Sequence, residues 1–266
     1  MKIVVLIFLL LFDGVTSHAQ QSVSRFPVLE APYATIAPKL DASGNDPAWK
    51  AAATIPALGL AIGSDSRDVA LPTTVQVLWD ARYLYIRFRC AAQSVYTPYG
   101  GSVRDQPIYR GDAVEVFLDV RGDAKQVTEI QVSPNNELFD QQLLITTDVR
   151  CDQDGKLRED VLSRDFWAVP SWDCAGLTTK THREGDVWIA DLAIPAAPIL
   201  RRLGATQWEP LTFRANLMRY TWTPDTKAGN DNGRRLIAQN WSLVRHGCPH
   251  ISPQAMGYIH LLPAPK

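Results

Sequence analysis

From Ala113 to Val132 the chain alternates apolar and polar side chains so regularly that few conformations are open to it. Val114, Val116, Leu118 and Val120 fall on one side, and Glu115, Phe117 and Asp119 on the other. After Arg121-Gly122-Asp123-Ala124, Ile130 and Val132 alternate with Glu129, Gln131 and Ser133. A period of two marks a half-buried β-strand, and a short Gly-Asp turn makes two such strands antiparallel neighbours. Facing residues of a hairpin share one side of the sheet. If Phe117 lies near Glu129, then Glu115 lies near Gln131, and two carboxylates and an amide share one face.

The same patterning recurs along the chain. Thr73 to Trp79 and Tyr83 to Cys90 read as a hairpin across Asp80-Ala81-Arg82. Leu138 to Thr146, Leu177 to His182, Val187 to Ile194, Phe213 to Tyr220 and Gly257 to Leu262 read as further strands, and only Ala196 to Leu203 as helix. Eighteen Pro and sixteen Gly suit short strands and turns better than a helical bundle. The expected fold is all-β, an antiparallel β-sandwich with long loops and little helix. It forms one domain over residues 40–262, preceded by a polar, proline-punctuated extension over residues 20–39. Residues 92–111 carry no periodicity and form a long loop, a class of segment that commonly serves function.

The start of the chain has a cationic Met1-Lys2, an apolar run from Ile3 to Phe12 and a Ser17-His18-Ala19 cleavage site. This is the layout of a secretory signal over residues 1–19, and the run is too short for a transmembrane anchor. The mature protein is therefore expected to be secreted or periplasmic. In an oxidising compartment the four cysteines are read first as disulfides. Cys151 with Cys174 is the preferred pair because the two bracket a polar excursion, which leaves Cys90 with Cys248. A net charge of −1, from 27 Lys plus Arg against 28 Asp plus Glu, supplies no field for gathering nucleic acid or anionic membrane.

Glu115 and Glu129, with Asp112 and Asp119 nearby, permit two chemistries. Paired carboxylates serve a glycoside hydrolase as acid and base or nucleophile. Without cleavage, carboxylates and amides hydrogen-bond sugar hydroxyls beside an aromatic plate that covers the apolar side of the ring. Tyr109, Trp222 and Trp241 are candidates for that plate, whereas Trp79 and Trp188 sit in alternating strands and belong to the core. His246, His250 and His260 cluster near the end and leave a metal role open. Asn240-Trp241-Ser242 matches a glycosylation acceptor. No nucleophile elbow, zinc-protease motif, dinucleotide fingerprint or phosphate loop is present.

Several motifs stand in a telling order: Leu40-Asp41 with Asp46-Pro47-Ala48-Trp49, Val77-Leu78-Trp79-Asp80 with Tyr83-Leu84-Tyr85, and Gly111-Asp112-Ala113-Val114-Glu115-Val116-Phe117-Leu118-Asp119. Glu129 to Asn136, Trp188 to Pro195, Arg214-Ala215-Asn216 with Arg219, and Pro253 with Met256-Gly257-Tyr258 follow. Together they resemble carbohydrate-binding module family 9. The resemblance implies a DOMON-like β-sandwich that binds sugars without cleaving them, often in company with secreted glycoside hydrolases in carbohydrate catabolism. It places the two rings of a sugar clamp on Tyr109 and His250, with Trp241 as a substitute for the second. It places the polar contacts on Glu115, Glu129 and Gln131. It calls for no cofactor, although some members hold a structural calcium. Two other readings stay open: a glycoside hydrolase acting on O-glycosyl bonds through Glu115 and Glu129, and a secreted haem-b electron carrier using Met218 or Met256.

Overall fold

The computed structural model describes residues 26–100, 104–145, 166–225, 227, 233–244 and 249–265. Two stacked sheets are formed. The larger has nine strands and the smaller five. In chain order the strands are β1 (Val28–Ala31), β2 (Ala53–Ile55), β3 (Gly59–Leu60), β4 (Thr73–Trp79), β5 (Tyr83–Ala91), β6 (Ala113–Asp119) and β7 (Gln126–Val132). They continue as β8 (Leu138–Ile145), β9 (Phe166–Val169), β10 (Thr178–Glu184), β11 (Val187–Pro195), β12 (Thr212–Pro224), β13 (Arg234–Asn240) and β14 (Gly257–Leu261). The larger sheet runs β1-β14-β12-β6-β7-β8-β9, with β13 pairing β12 and β3 pairing β13; the smaller runs β10-β11-β5-β4-β2. Every pairing is antiparallel except β1 with β14. The sandwich expected from the alternation is the fold observed.

Alternation decides which side of each sheet goes dry. Val75, Val77, Ile86, Phe88, Trp188 and Leu192 of the smaller sheet meet Val114, Val116, Leu118, Ile130, Phe213 and Leu217 of the larger in one buried core. Truncating a side chain such as Phe88, fully buried there, removes about 3–5 kcal/mol. Trp79 and Trp188 are core residues, as their strands require. The β6–β7 register is the expected one, with Glu115 opposite Gln131 and Phe117 opposite Glu129. Asp119 closes the intervening turn: its carboxylate accepts the Gly122 N–H at 2.9 Å and the Ala124 N–H at 2.8 Å. Asp119 is therefore a turn residue rather than part of the polar face.

Three features differ from the sequence reading. The sheet begins at Val28, ahead of the expected start at residue 40, because β1 finds its hydrogen bonds along the edge of β14. Such pairing across the whole chain leaves no local pattern. β2, β3, β9 and β13 add four further strands, three of them short and one next to a turn-rich stretch, and none alternates clearly. Cys90 and Cys174 are buried free thiols, so neither expected disulfide is formed; Cys151 and Cys248 lie outside the described residues. Burial pushes the Cys90 thiol up to about 11 and the Cys174 thiol up to about 12. The signal segment 1–19 also lies outside the described residues. No helix among the described residues is long and apolar enough to cross a membrane.

Candidate functional site

The outer side of the larger sheet carries the polar half of the alternation. Neighbouring strands place β12 Met218 beside Glu115, β6 Phe117 beside Glu129, β7 Glu129 beside Gln141 and Gln131 beside Phe139, and β8 Leu143 beside β9 Ala168. Over this floor opens a cleft of about 890 Å³, lined by Glu115, Glu129, Gln131 and Gln141 with Tyr109, Phe139, Phe166, Tyr220, Trp222 and His250 around them. That volume suits a small organic ligand, and the mixture of flat rings and a few convergent polar groups is what such a site requires.

The two glutamates are treated differently by their surroundings. Glu129, 5% exposed, accepts the Gln131 Nε2–H at 2.5 Å and the Gln141 Nε2–H at 2.6 Å, one on each carboxylate oxygen. Burial raises its pKa, and these two amides oppose the rise without cancelling it. Glu115, 1% exposed, has both oxygens buried without a hydrogen-bond partner among the described residues. Burial pushes its pKa well up, and the neighbouring Glu129 charge pushes it further. One face thus presents a glutamate held by two amides beside a glutamate whose neutral form is favoured by burial and by its charged neighbour.

Two aromatic groups stand on the cleft. Tyr109, 38% exposed, meets Phe139 edge to face at 6.2 Å, and its carbonyl accepts the Trp222 Nε1–H at 3.0 Å. His250 stacks on Phe117 at 6.5 Å and meets Phe166 edge-on at 5.0 Å. Asp112 fastens the first group. Its carboxylate accepts the Trp222 N–H at 2.7 Å and the Tyr96 N–H at 3.2 Å, tying the loop before β6 to β12. Burial raises the Asp112 pKa and those two bonds oppose the rise. Gly111 lets the loop pass, since a Cβ there would lie 2.7 Å from the Tyr96 carbonyl oxygen. Asp112 is a fastener, not a ligand group.

The structure brings together Tyr109, Glu115, Glu129, Gln131 and His250. It keeps Trp241 apart: this side chain packs against the inter-sheet core, with its Cζ3 2.9 Å from where a Cβ on Gly257 would lie. The Trp241 alternative for the second wall is corrected, because its N–H pairs with the Leu217 carbonyl and draws it into the sandwich. Asn240 is fully buried and out of reach of glycosylation in the folded chain. Phe139, Gln141, Phe166 and Tyr220 are additions that the sequence reading missed. Phe139, Gln141 and Leu143 alternate along β8, so extending the hairpin register by one strand would have found them.

Asp105, Asp140 and Asp173 bring carboxylate oxygens within 4.8 Å of one another. Arg104 already sits among them, 2.6 Å from Asp140 and 2.5 Å from Asp173, so a guanidinium supplies the charge that a calcium ion would. His246 lies outside the described residues, while His250 and His260 belong to separate elements, the cleft segment and β14. Met218 and Met256 are fully buried in an apolar cluster with Phe117 and Tyr220, and neither lines the cleft. These residues do not fit a haem held in the cleft by a methionine sulfur.

Residues 40–154 match the family model described as carbohydrate family 9 binding domain-like. No curated protein matches the sequence. Among solved structures, a carbohydrate binding module family 9 from Caldicellulosiruptor kristjanssonii in complex with glucose aligns with a TM-score of 0.58 at 14% identity, covering 90% of this chain and 98% of that one. The module from the same organism in complex with cellotriose gives a TM-score of 0.57 at 15% identity, covering 90% and 95%. A Bacteroides uniformis ATCC 8492 protein gives 0.58 at 10% identity, covering 89% and 100%. The resemblance drawn from the sequence motifs therefore holds over residues 40–154, and the shared sandwich fold over nine-tenths of the chain.

Proposed function

We propose that the protein is a non-catalytic carbohydrate-binding protein whose ligand lies in the cleft on the outer side of the larger sheet. One observation carries the reading. A run of carboxylate and amide groups, Glu129 with Gln131 and Gln141, lies beneath flanking rings of Tyr109, Trp222 and His250. Sugar hydroxyls pair with the first, and the apolar side of a pyranose ring lies on the second. The family match over residues 40–154 and the sugar-bound neighbours of the same fold support it. Export through cleavage after Ala19, and service to secreted glycoside hydrolases in carbohydrate catabolism, extend the proposal to the cell. Mass spectrometry of exported protein beginning at Gln20 tests the first of these.

Screening the purified protein on a glycan array, followed by calorimetry of Glu129→Gln and Tyr109→Ala on the glycan found, tests the binding reading. Losing the amide-held carboxylate is expected to weaken binding by about 1.5–3 kcal/mol. Affinity for no glycan, or variants that bind like the parent while folded, would overturn it. The hydrolase reading draws on the same pair, because the two glutamates sit in different surroundings, one with its pKa pushed well up by burial and the other held by two amides. Glu115-dependent turnover of a chromogenic glycoside would decide in its favour.

A further inference from the structure

We infer that the cleft selects a sugar carrying a positive charge, a 2-amino-2-deoxy pyranose with a free ammonium, which sits against Glu115 on the sheet floor. The inference rests on the carbohydrate-binding reading and adds the ligand's charge to it.

Glu115 is the observation that points to a ligand. Buried polar atoms in folded proteins nearly always have partners, and here both oxygens of a 1% exposed carboxyl have none. Its neighbour shows what a satisfied glutamate looks like in this sheet: Glu129 draws one amide to each oxygen. Asp105, also lining the cleft, has a buried Oδ1 without a partner. The other titratable groups along the cleft are Tyr109, Arg110, Glu129, Tyr220 and His250. Of these only Arg110 is permanently cationic, and it is exposed at the rim, next to Tyr109, while the glutamates lie buried beneath.

A neutral sugar can exchange hydrogen bonds with the Glu115 carboxyl but brings no charge that would favour its ionised form. An ammonium offers three N–H donors and the opposite charge together, and charge-assisted bonds are the stronger kind. Burial, and then the Glu129 charge, favour the protonated form of Glu115 in the empty cleft. When the ammonium arrives, the ionised carboxylate becomes the favoured form and the Glu115 proton passes to solvent. Binding an amino sugar therefore releases a proton, and binding a neutral one does not.

Calorimetry on the full chain at pH 6, in two buffers of different ionisation enthalpy, tests this with three β-1,4-linked disaccharides that differ only at C2. These are diglucosamine with an ammonium, N,N′-diacetylchitobiose with an acetamide and cellobiose with a hydroxyl. Diglucosamine is expected to bind about tenfold tighter than cellobiose, with proton release seen only for diglucosamine. Glu115→Gln is expected to abolish both the preference and the release. If that variant fails to fold, the comparison of the three sugars on the parent still decides. Cellobiose binding as well as diglucosamine, with no proton released, would overturn the inference and leave the carbohydrate reading standing. Binding of none of these, nor of any glycan on the array, would overturn both.

Discussion

Glu115 gives the protein's stability a pH dependence opposite in sign to that of a salt-bridged carboxylate. Its burial, then the Glu129 charge, hold its pKa well above the ordinary 4.5. Between 4.5 and the raised value, the folded state keeps a proton that the unfolded chain has released. Stability therefore falls as pH rises through this window, is fully present below 4.5, and has lost the whole contribution once the folded-state value is passed. One proton of difference corresponds to about 1.4 kcal/mol per pH unit. Glu129, Asp112, Asp119 and Asp140 are also raised, burial first in each case, so the slope of the parent exceeds the share of Glu115. Glu115→Gln isolates that share. Its buried amide costs a constant amount, about 1–3 kcal/mol for an unpaired polar group, whatever the pH. The slope itself should become shallower by about 1.4 kcal/mol per unit, so that the variant overtakes the parent as pH rises. Urea unfolding in steps from about pH 4.5 to about pH 7 reads the two profiles. Parallel profiles would refute the claim that Glu115 is buried in its neutral form.

Trp222→Ala is expected to lower affinity for the bound sugar by about 1–3 kcal/mol in calorimetry, the range of aromatic stacking on flat rings, whereas Trp241→Phe should leave it unchanged because that ring packs in the sandwich. Gly111→Ala should destabilise the fold by about 1–3 kcal/mol in thermal melts, since the new Cβ would press on the Tyr96 carbonyl at 2.7 Å and the Pro98 ring at 2.5 Å. Cys90 and Cys174, buried with thiols at about 11 and about 12, should resist iodoacetamide in the native protein and react on unfolding, as read by peptide mass spectrometry.

The hairpin of β6 and β7 was legible because its determinants are local. A period of two decides which side chains face the core, and the turn held by Asp119 decides the register, so Glu115, Gln131, Phe117 and Glu129 could be placed on one face from their order alone. The position of Tyr109 on the cleft was legible for a similar reason, since it is the aromatic residue closing an aperiodic loop just before that strand. The cysteines show the limit of compositional inference: an exported chain permits disulfides, but packing buries Cys90 and Cys174 as free thiols.

What the tertiary structure decided lies between strands distant in sequence. Glu115 sits beside Met218, and Asp112 reaches Trp222, only because β12 lies along β6. Trp222 joins Tyr109 through that pairing, while Trp241, one strand later, turns inward to the core. The different conditions of the two glutamates were equally hidden. Gln141 comes from β8 to hold Glu129, and among the described residues nothing comes to hold Glu115. Alternation along a strand is written in adjacent residues, so the sequence by itself determined the sandwich and its polar face. Which strand lies beside which is settled by the burial of the whole core, and with it the wall of the cleft and the charge on its floor.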